Sequence, residues 1–357
     1  MENILFSKYQ MGSITLNNRV VMAPMTRCRA IDNIPNDLMV SYYSQRSGAG
    51  LIITEGVAPS PNGLGYARIP GLFNDAQKNG WRKVTDAVHE KGGKIFVQLM
   101  HTGRVSHPDN MPAGARIIAP SAKAAPDTMW TDKGGAQEHP VPEVMSETDI
   151  NNTIAEYASA AELAISAGFD GVELHGANGY LIDQFLNTAS NQRTDQWGGS
   201  PENRIRFATE VAKHVIAKIG ADRVGMRISP YGVFNGMQSD SQMDETFELL
   251  SKEMDKLALL YLHIVDHSSM GAPEVKPEIK ARIRQVMKGT IILSGGYDNA
   301  ARANQDLNEN RGDLVAFGRP FISNPTLVDI LRSGEELTSP DYDTFYTADE
   351  KGYTDYV

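Results

Sequence analysis

Cysteine is almost missing: Cys28 is the only one in 357 residues. That excludes an internal disulfide framework and leaves no thiolate set for zinc or an iron–sulfur cluster. One unpaired thiol suits a reducing compartment, so the cytoplasm is the expected location. Basic clusters are also missing. The net charge is −10, and no run of Lys and Arg could neutralise a row of phosphates, which argues against a nucleic-acid partner. Long apolar runs are absent too. The longest, residues 257–265, is interrupted by His263 and falls short of a membrane span. The first ten residues lack the basic region and apolar stretch of a signal peptide. There is no low-complexity tract and no evident linker.

What remains is an ordinary globular composition, 41% hydrophobic and 22% charged, with 32 Gly and 18 Pro. Length alone permits one large barrel or two medium domains. The pattern along the chain decides, because β-rich apolar runs recur at 19–25, 51–57, 94–100, 171–177, 224–230, 261–266, 290–296 and 314–320. Amphipathic segments follow them at about 37–48, 76–92, 147–168, 201–219, 241–258, 276–288, 298–308 and 324–333. Eight βα units predict an α/β protein, a (β/α)8 TIM barrel in one domain spanning 1–357. Ser146 with Asp149 forms a capping pattern, and Ser200-Pro201 places a cap before a proline in the first turn. Residues 4–16 read as a short hairpin closing the barrel floor, with its turn at Met11-Gly12-Ser13. The connection 101–145 is too long and too rich in Pro, Gly and Ala for a turn, and reads as a lid-like insertion after strand three.

In such a barrel the C-terminal strand ends carry the chemistry. Here they are polar: Pro24-Met25-Thr26 after strand one, Gln98 and Met100-His101 on strand three, Glu173-Leu174-His175 on strand four, Arg227 on strand five. The junctions Ser294-Gly295-Gly296-Tyr297 and Gly318-Arg319-Pro320 stand where barrels commonly cradle a phosphate through backbone N–H groups. A tight turn and a surface cation are the bland alternative for either one alone. Arg227, inside an apolar strand, needs a negative partner or strong acceptor. A structural carboxylate such as Glu173 and a bound flavin both satisfy it. His175-Gly176-Ala177-Asn178-Gly179-Tyr180 sets three hydrogen-bonding side chains among small residues. His175 and Asn178 could jointly donate to a carbonyl, and Tyr180 suits proton delivery. His101 with His107 and His263 with His267 lack a third metal ligand, so no metal is expected. Cys28 has no paired His, and Ser268-Ser269 has no nucleophile-elbow setting.

Taken together, Asn18-Arg19-Val20-Val21-Met22-Ala23-Pro24-Met25-Thr26, Gln98-Leu99-Met100-His101-Thr102-Gly103-Arg104, His175 to Leu181, Asn191-Gln192-Arg193-Thr194-Asp195 with Trp197-Gly198-Gly199, and Phe317-Gly318-Arg319-Pro320 resemble the Old Yellow Enzyme family. The likeness covers essentially the whole chain and is nearest the N-ethylmaleimide reductase and pentaerythritol tetranitrate reductase group.

The resemblance implies non-covalently bound FMN, its phosphate at Gly295, Gly296, Gly318 and Arg319, its ring lined by Pro24, Met25, Thr26, Ala58, Gln98 and Arg227. NADPH or NADH would supply hydride to the flavin, which passes it to an activated alkene: an α,β-unsaturated carbonyl, a maleimide or a nitro compound. His175 and Asn178 would polarise the acceptor and Tyr180 protonate its α-carbon, with Tyr66, Met100 and Tyr346 lining the substrate side. Many relatives carry tryptophan where this chain has Met100, which predicts a wider pocket. Three rival readings stay open: another FMN-barrel dehydrogenase or oxidase, a flavin-free barrel lyase or isomerase, and a flavin-sequestering module. Monomer and homodimer are equally compatible with the sequence.

Overall fold

The structure, a computed structural model, describes residues 3–356. Eight parallel strands close into a barrel: β1 (Val20–Met22), β2 (Leu51–Val57), β3 (Ile95–Leu99), β4 (Gly171–Gly176), β5 (Val224–Ile228), β6 (Tyr261–Val265), β7 (Thr290–Ser294) and β8 (Leu314–Phe317). β8 pairs back with β1, Phe317 opposite Met22. Around them run α1 (Asp37–Gln45), α2 (Asp75–Glu90), α3 (Glu147–Ser166), α4 (Arg206–Ile219), α5 (Met243–Lys256), α6 (Pro277–Val286), α7 (Ala300–Asn308) and α8 (Leu327–Ser333).

The helix starts follow their local chemistry. Ser146 and Asp149 form a reciprocal capping box on α3, and the Ser200 side chain accepts from Asn203 N–H at the short turn Pro201–Arg204 that leads into α4. The expected strands overrun their true ends. Pro24-Met25-Thr26, Met100, Gly295-Gly296 and Gly318-Arg319 all lie past the last paired residue, in the βα connections.

The barrel interior is packed shut at its N-terminal end. The hairpin strands Tyr9–Met11 and Ile14–Leu16 turn at Gly12, whose φ is +55°. They drive Met11 and Leu16 into one apolar cluster with Val21, Ile53, Phe96, Tyr261, Ile292 and Ala316. Packing here admits no extra atom: a Cβ on Gly225 would stand 2.1–2.4 Å from the Tyr261 ring. The second, larger cluster lies between strands and helices. With the floor closed, only the C-terminal end is left to open as a site.

The long third connection is folded. It carries an antiparallel hairpin, Thr128–Thr131 with Gly135–Glu138, and a two-residue pairing of Ile118–Ala119 with Glu143–Val144. Two short helices, Leu181–Leu186 and Pro320–Ser323, occupy the fourth and eighth connections and have no counterpart among the sequence expectations.

Candidate active site

Two adjoining cavities of about 750 and 760 Å3 open at the C-terminal rim. They share Pro24, Thr26, Tyr66, Asn178, Tyr180, Arg227 and Tyr346 on their walls. One continues past Gly56, Gln98, Met100 and His175 toward the hairpin residues Thr128–Trp130. The other runs past Met25 to Gly295, Gly296, Gly318 and Arg319. Both are of the size that takes a cofactor or a drug-sized ligand.

The connection after β4 is a tight turn held from below. Asn178 adopts φ +59° and Gly179 φ +75°. A Cβ on Gly179 would lie 2.7 Å from the Phe234 carbonyl oxygen, so the turn needs glycine there. Asn178 N–H donates to Ser229 Oγ at 2.9 Å, Gly179 N–H donates to Asp183 Oδ2 at 2.8 Å, and Ser229 Oγ donates to the same oxygen at 3.3 Å. Burial pushes the Asp183 carboxyl up to about 7.

From this turn Tyr180 reaches into the cavity. Its ring meets the His175 ring edge-on, centroids 4.9 Å apart, and its hydroxyl lies 2.9 Å from that of Tyr66. Burial pushes the Tyr180 phenol up to about 12, so it keeps its proton at any physiological pH. His175 is held well below its ordinary value by burial and by the Arg227 cation, and is a neutral imidazole. Its Nδ1 is buried without a hydrogen-bond partner. Asn178 is oriented by His267, whose Nε2 lies 2.8 Å from Asn178 Oδ1. That contact leaves the amide nitrogen of Asn178 for the cavity. His267 is itself lowered to about 4, chiefly by burial and then by Arg227.

Beside His175 on the next strand Arg227 is buried, and its Nε has no partner. The bland reading of this arginine fares poorly, since Glu173 makes no ion pair with it among the described residues. Glu173 accepts instead from Gln98 Nε2 at 2.7 Å and faces His263 Nδ1 at 2.9 Å. An orphaned guanidinium beside a cavity is the signature of a wall shaped for an electron-rich ligand. The residues fit FMN on this ground. Arg227 and Gln98 bring hydrogen-bonding groups to one stretch of wall, and a Cβ on Gly318 would meet nothing closer than 3.8 Å, so its backbone stands open to the cavity.

Of the residues expected to catalyse or to line the flavin and substrate sides, all but one line these cavities. Ala58 is fully buried against Leu64, Ile69 and Met100, and Gly56 takes its place on the wall. Cys28 also lines the substrate side, φ +59°, with burial pushing its thiol up to about 12. His101 and His107 face inward to their own loop, their Nδ1 atoms accepting from Gly103 and Asp109 N–H.

Sequence reasoning missed the brace around Tyr346. Arg29 donates to the carbonyls of Thr344 at 2.8 Å and Phe345 at 2.7 Å. Arg27 donates to the Gly352 carbonyl at 2.7 Å, and Arg68 to that of Tyr346 at 2.8 Å. Arg68 also pairs with Asp132 of the hairpin, tying both edges of the cavity together. Two arginines flanking Cys28 were the one available signal. Nothing in sequence points them at carbonyls some 320 residues away.

The described residues contain no helix long and apolar enough to cross a membrane. Comparison with known proteins agrees with the geometry. A family model described as NADH:flavin oxidoreductase / NADH oxidase matches residues 4–338. A probable flavin mononucleotide-dependent alkene reductase of Leishmania infantum is 42% identical over 361 residues, covering 99% of this chain and 97% of the relative. Among solved structures, morphinone reductase in complex with tetrahydroNAD superposes with a TM-score of 0.92 at 44% identity, covering 99% of this chain and 97% of that one. An old yellow enzyme homologue from Zymomonas mobilis gives 0.95 at 38%, covering 99% of both. The chain belongs to the NADH:flavin oxidoreductase / NADH oxidase family, the Old Yellow Enzyme family its motifs resemble, and is an FMN-dependent oxidoreductase on a (β/α)8 barrel.

Proposed function

We propose that this protein is an NAD(P)H-dependent ene-reductase in which Tyr180 is the proton donor and His175 with Asn178 binds the activating group of the alkene. The observation that carries this reading is the convergence of those three side chains, from the end of β4 and the turn after it, on the wall of one cavity. Bound FMN supplies the hydride chemistry, accepting hydride from NADPH or NADH and delivering it to an electrophilic carbon. The chain's own groups do the rest.

Neutral His175 and the Asn178 amide offer N–H donors to a carbonyl or nitro oxygen. Charge builds on that oxygen as the β-carbon accepts hydride, and preplaced donors in a site screened from water meet it without reorganisation. Tyr180, protonated and held by the Tyr66 contact, delivers a proton to the α-carbon. Burial that raises a phenol keeps it a donor and disfavours it as a base, which fits reduction better than substrate dehydrogenation. Gly295, Gly296, Gly318 and Arg319 would hold the phosphate; Pro24, Met25, Thr26, Gln98 and Arg227 would hold the ring. Tyr66, Met100 and Tyr346 bound the substrate. The protein acts on small electrophilic alkenes in the cytoplasm, as a monomer or homodimer.

The purified protein is expected to be yellow, to bleach with NADPH or NADH without oxygen, and to regain its colour on adding 2-cyclohexenone or N-ethylmaleimide. A colourless protein that neither binds FMN nor bleaches overturns the proposal.

A further inference from the structure

We infer that Glu173 is a positioning residue for the cofactor wall: it dictates which end of the Gln98 amide faces the cavity and offsets the positive field of Arg227. The inference rests on the FMN reading above. It starts from register. Glu173 on β4 stands beside Gln98 on β3, and next along the ladder His175 stands beside Arg227 on β5, which in turn faces His263 on β6. Five polar side chains therefore meet in one buried wall, Glu173 and His263 with no exposed surface at all.

Burial alone would keep the Glu173 carboxyl protonated. The neighbouring His263 and Arg227 outweigh it and hold the carboxyl below its ordinary value. An ionised carboxylate only accepts hydrogen bonds. Gln98, 2.7 Å away, must present Nε2 to it. Turned over, the amide would set its own oxygen against a carboxylate oxygen. Glu173 thus forces Gln98 Oε1 to the other side, where Gln98 lines the cavity. The wall then offers one acceptor from Gln98 beside donors from Arg227, the complement of a ring edge that carries an N–H between acceptor oxygens. His263, donating Nδ1–H to the second carboxylate oxygen at 2.9 Å, fixes the carboxylate from behind.

The electrostatic consequence is separate. Arg227 has no contact ion pair among the described residues, so Glu173 is the buried negative charge that offsets it at a distance. Remove that charge and the wall becomes more positive. A bound flavin then gains more on becoming anionic when reduced than it does when oxidised.

The test is the midpoint potential of bound FMN and the affinity for oxidised FMN, measured on the reconstituted full chain. Glu173→Gln should bind oxidised FMN about tenfold more weakly. It should also favour reduced over oxidised FMN by a further tenfold, an upward shift of about 30 mV for a two-electron couple. Glu173→Asp keeps the charge and shortens the reach, so it should lose the affinity and keep the potential. A purely structural carboxylate would lower thermal stability in both variants and leave the potential alone. If Glu173→Gln does not fold, unchanged affinity in Glu173→Asp still overturns the positioning claim. Wild-type chain that binds no FMN defeats the functional reading and this inference together. Wild-type chain that binds FMN, with both variants matching it in affinity and potential, defeats this inference alone.

Discussion

The hydroxyl oxygens of Tyr66 and Tyr180 lie 2.9 Å apart, with their rings edge to face at 6.1 Å. When Tyr180 gives up its proton, the Tyr66 hydroxyl is placed to donate to the phenolate left behind. A hydrogen bond to a charged group is worth about 1.5–3 kcal/mol. Tyr66→Phe should therefore slow reoxidation by an enone roughly ten- to a hundred-fold while leaving reduction by the nicotinamide alone. Single-turnover kinetics on each half-reaction checks it, and an unchanged enone rate contradicts it.

The proton donor's pH range follows from its environment. Burial raises the Tyr180 phenol from 10 to about 12, so the protonated form persists above the pH at which a free tyrosine ionises. The enone-dependent rate should be flat from about pH 6 to pH 10 and fall only above that. A fall centred below about pH 9 would assign proton delivery to another group.

Asp183 ties catalysis to stability because it holds the turn that carries Asn178 and Tyr180. Its carboxyl is raised from 3.8 to about 7 by burial, so the folded state binds this proton more tightly than the unfolded chain does. The stabilisation is complete below pH 3.8 and is lost as pH rises through about 7, an order of roughly 4 kcal/mol. Asp183→Asn keeps an acceptor for Gly179 N–H and removes the titration. Its melting temperature should exceed wild type at pH 8 and approach it at pH 5. A constant difference at both pH values contradicts this.

Met100 lines the cavity that Tyr180 enters, and the proposed function makes it the residue that sets the width there. Gly56 makes room for it, since a Cβ there would stand 2.5 Å from both Met100 Sδ and Cε. The flexible thioether yields to ligands that an indole would block. Met100→Trp should lower kcat/KM for a bulky enone at least about tenfold relative to a slim one. Equal loss on both substrates would show that Met100 does not select by size.

Much of this was legible in the chain. The eight strands follow from apolar runs of the right length and spacing, and the caps at Ser146 and Ser200 from local hydrogen bonding alone. Tyr180, His175 and Asn178 stood out because three hydrogen-bonding residues sit among small ones at a strand end, and the fold brings all three to one cavity. What stayed hidden depends on distant partners. The sequence carries no sign that Arg27 and Arg29 reach the C-terminal carbonyls, that His267 orients Asn178, or that Glu173 accepts from Gln98 with no contact ion pair to Arg227. Ala58 shows the converse: matching a family position located the wall, but Ala58 lies past the end of β2, bridged to Gly71 and buried, and Gly56 is the residue that faces the cavity.

The central claim is that Tyr180 protonates carbon after hydride delivery, and anaerobic stopped-flow on Tyr180→Phe tests it most directly. Flavin reduction by NADPH or NADH should stay within about twofold of wild type, and reoxidation by 2-cyclohexenone should slow at least about a hundredfold, the scale of a lost general acid. Equal slowing of both half-reactions, or an enone rate that survives the substitution, would contradict the account.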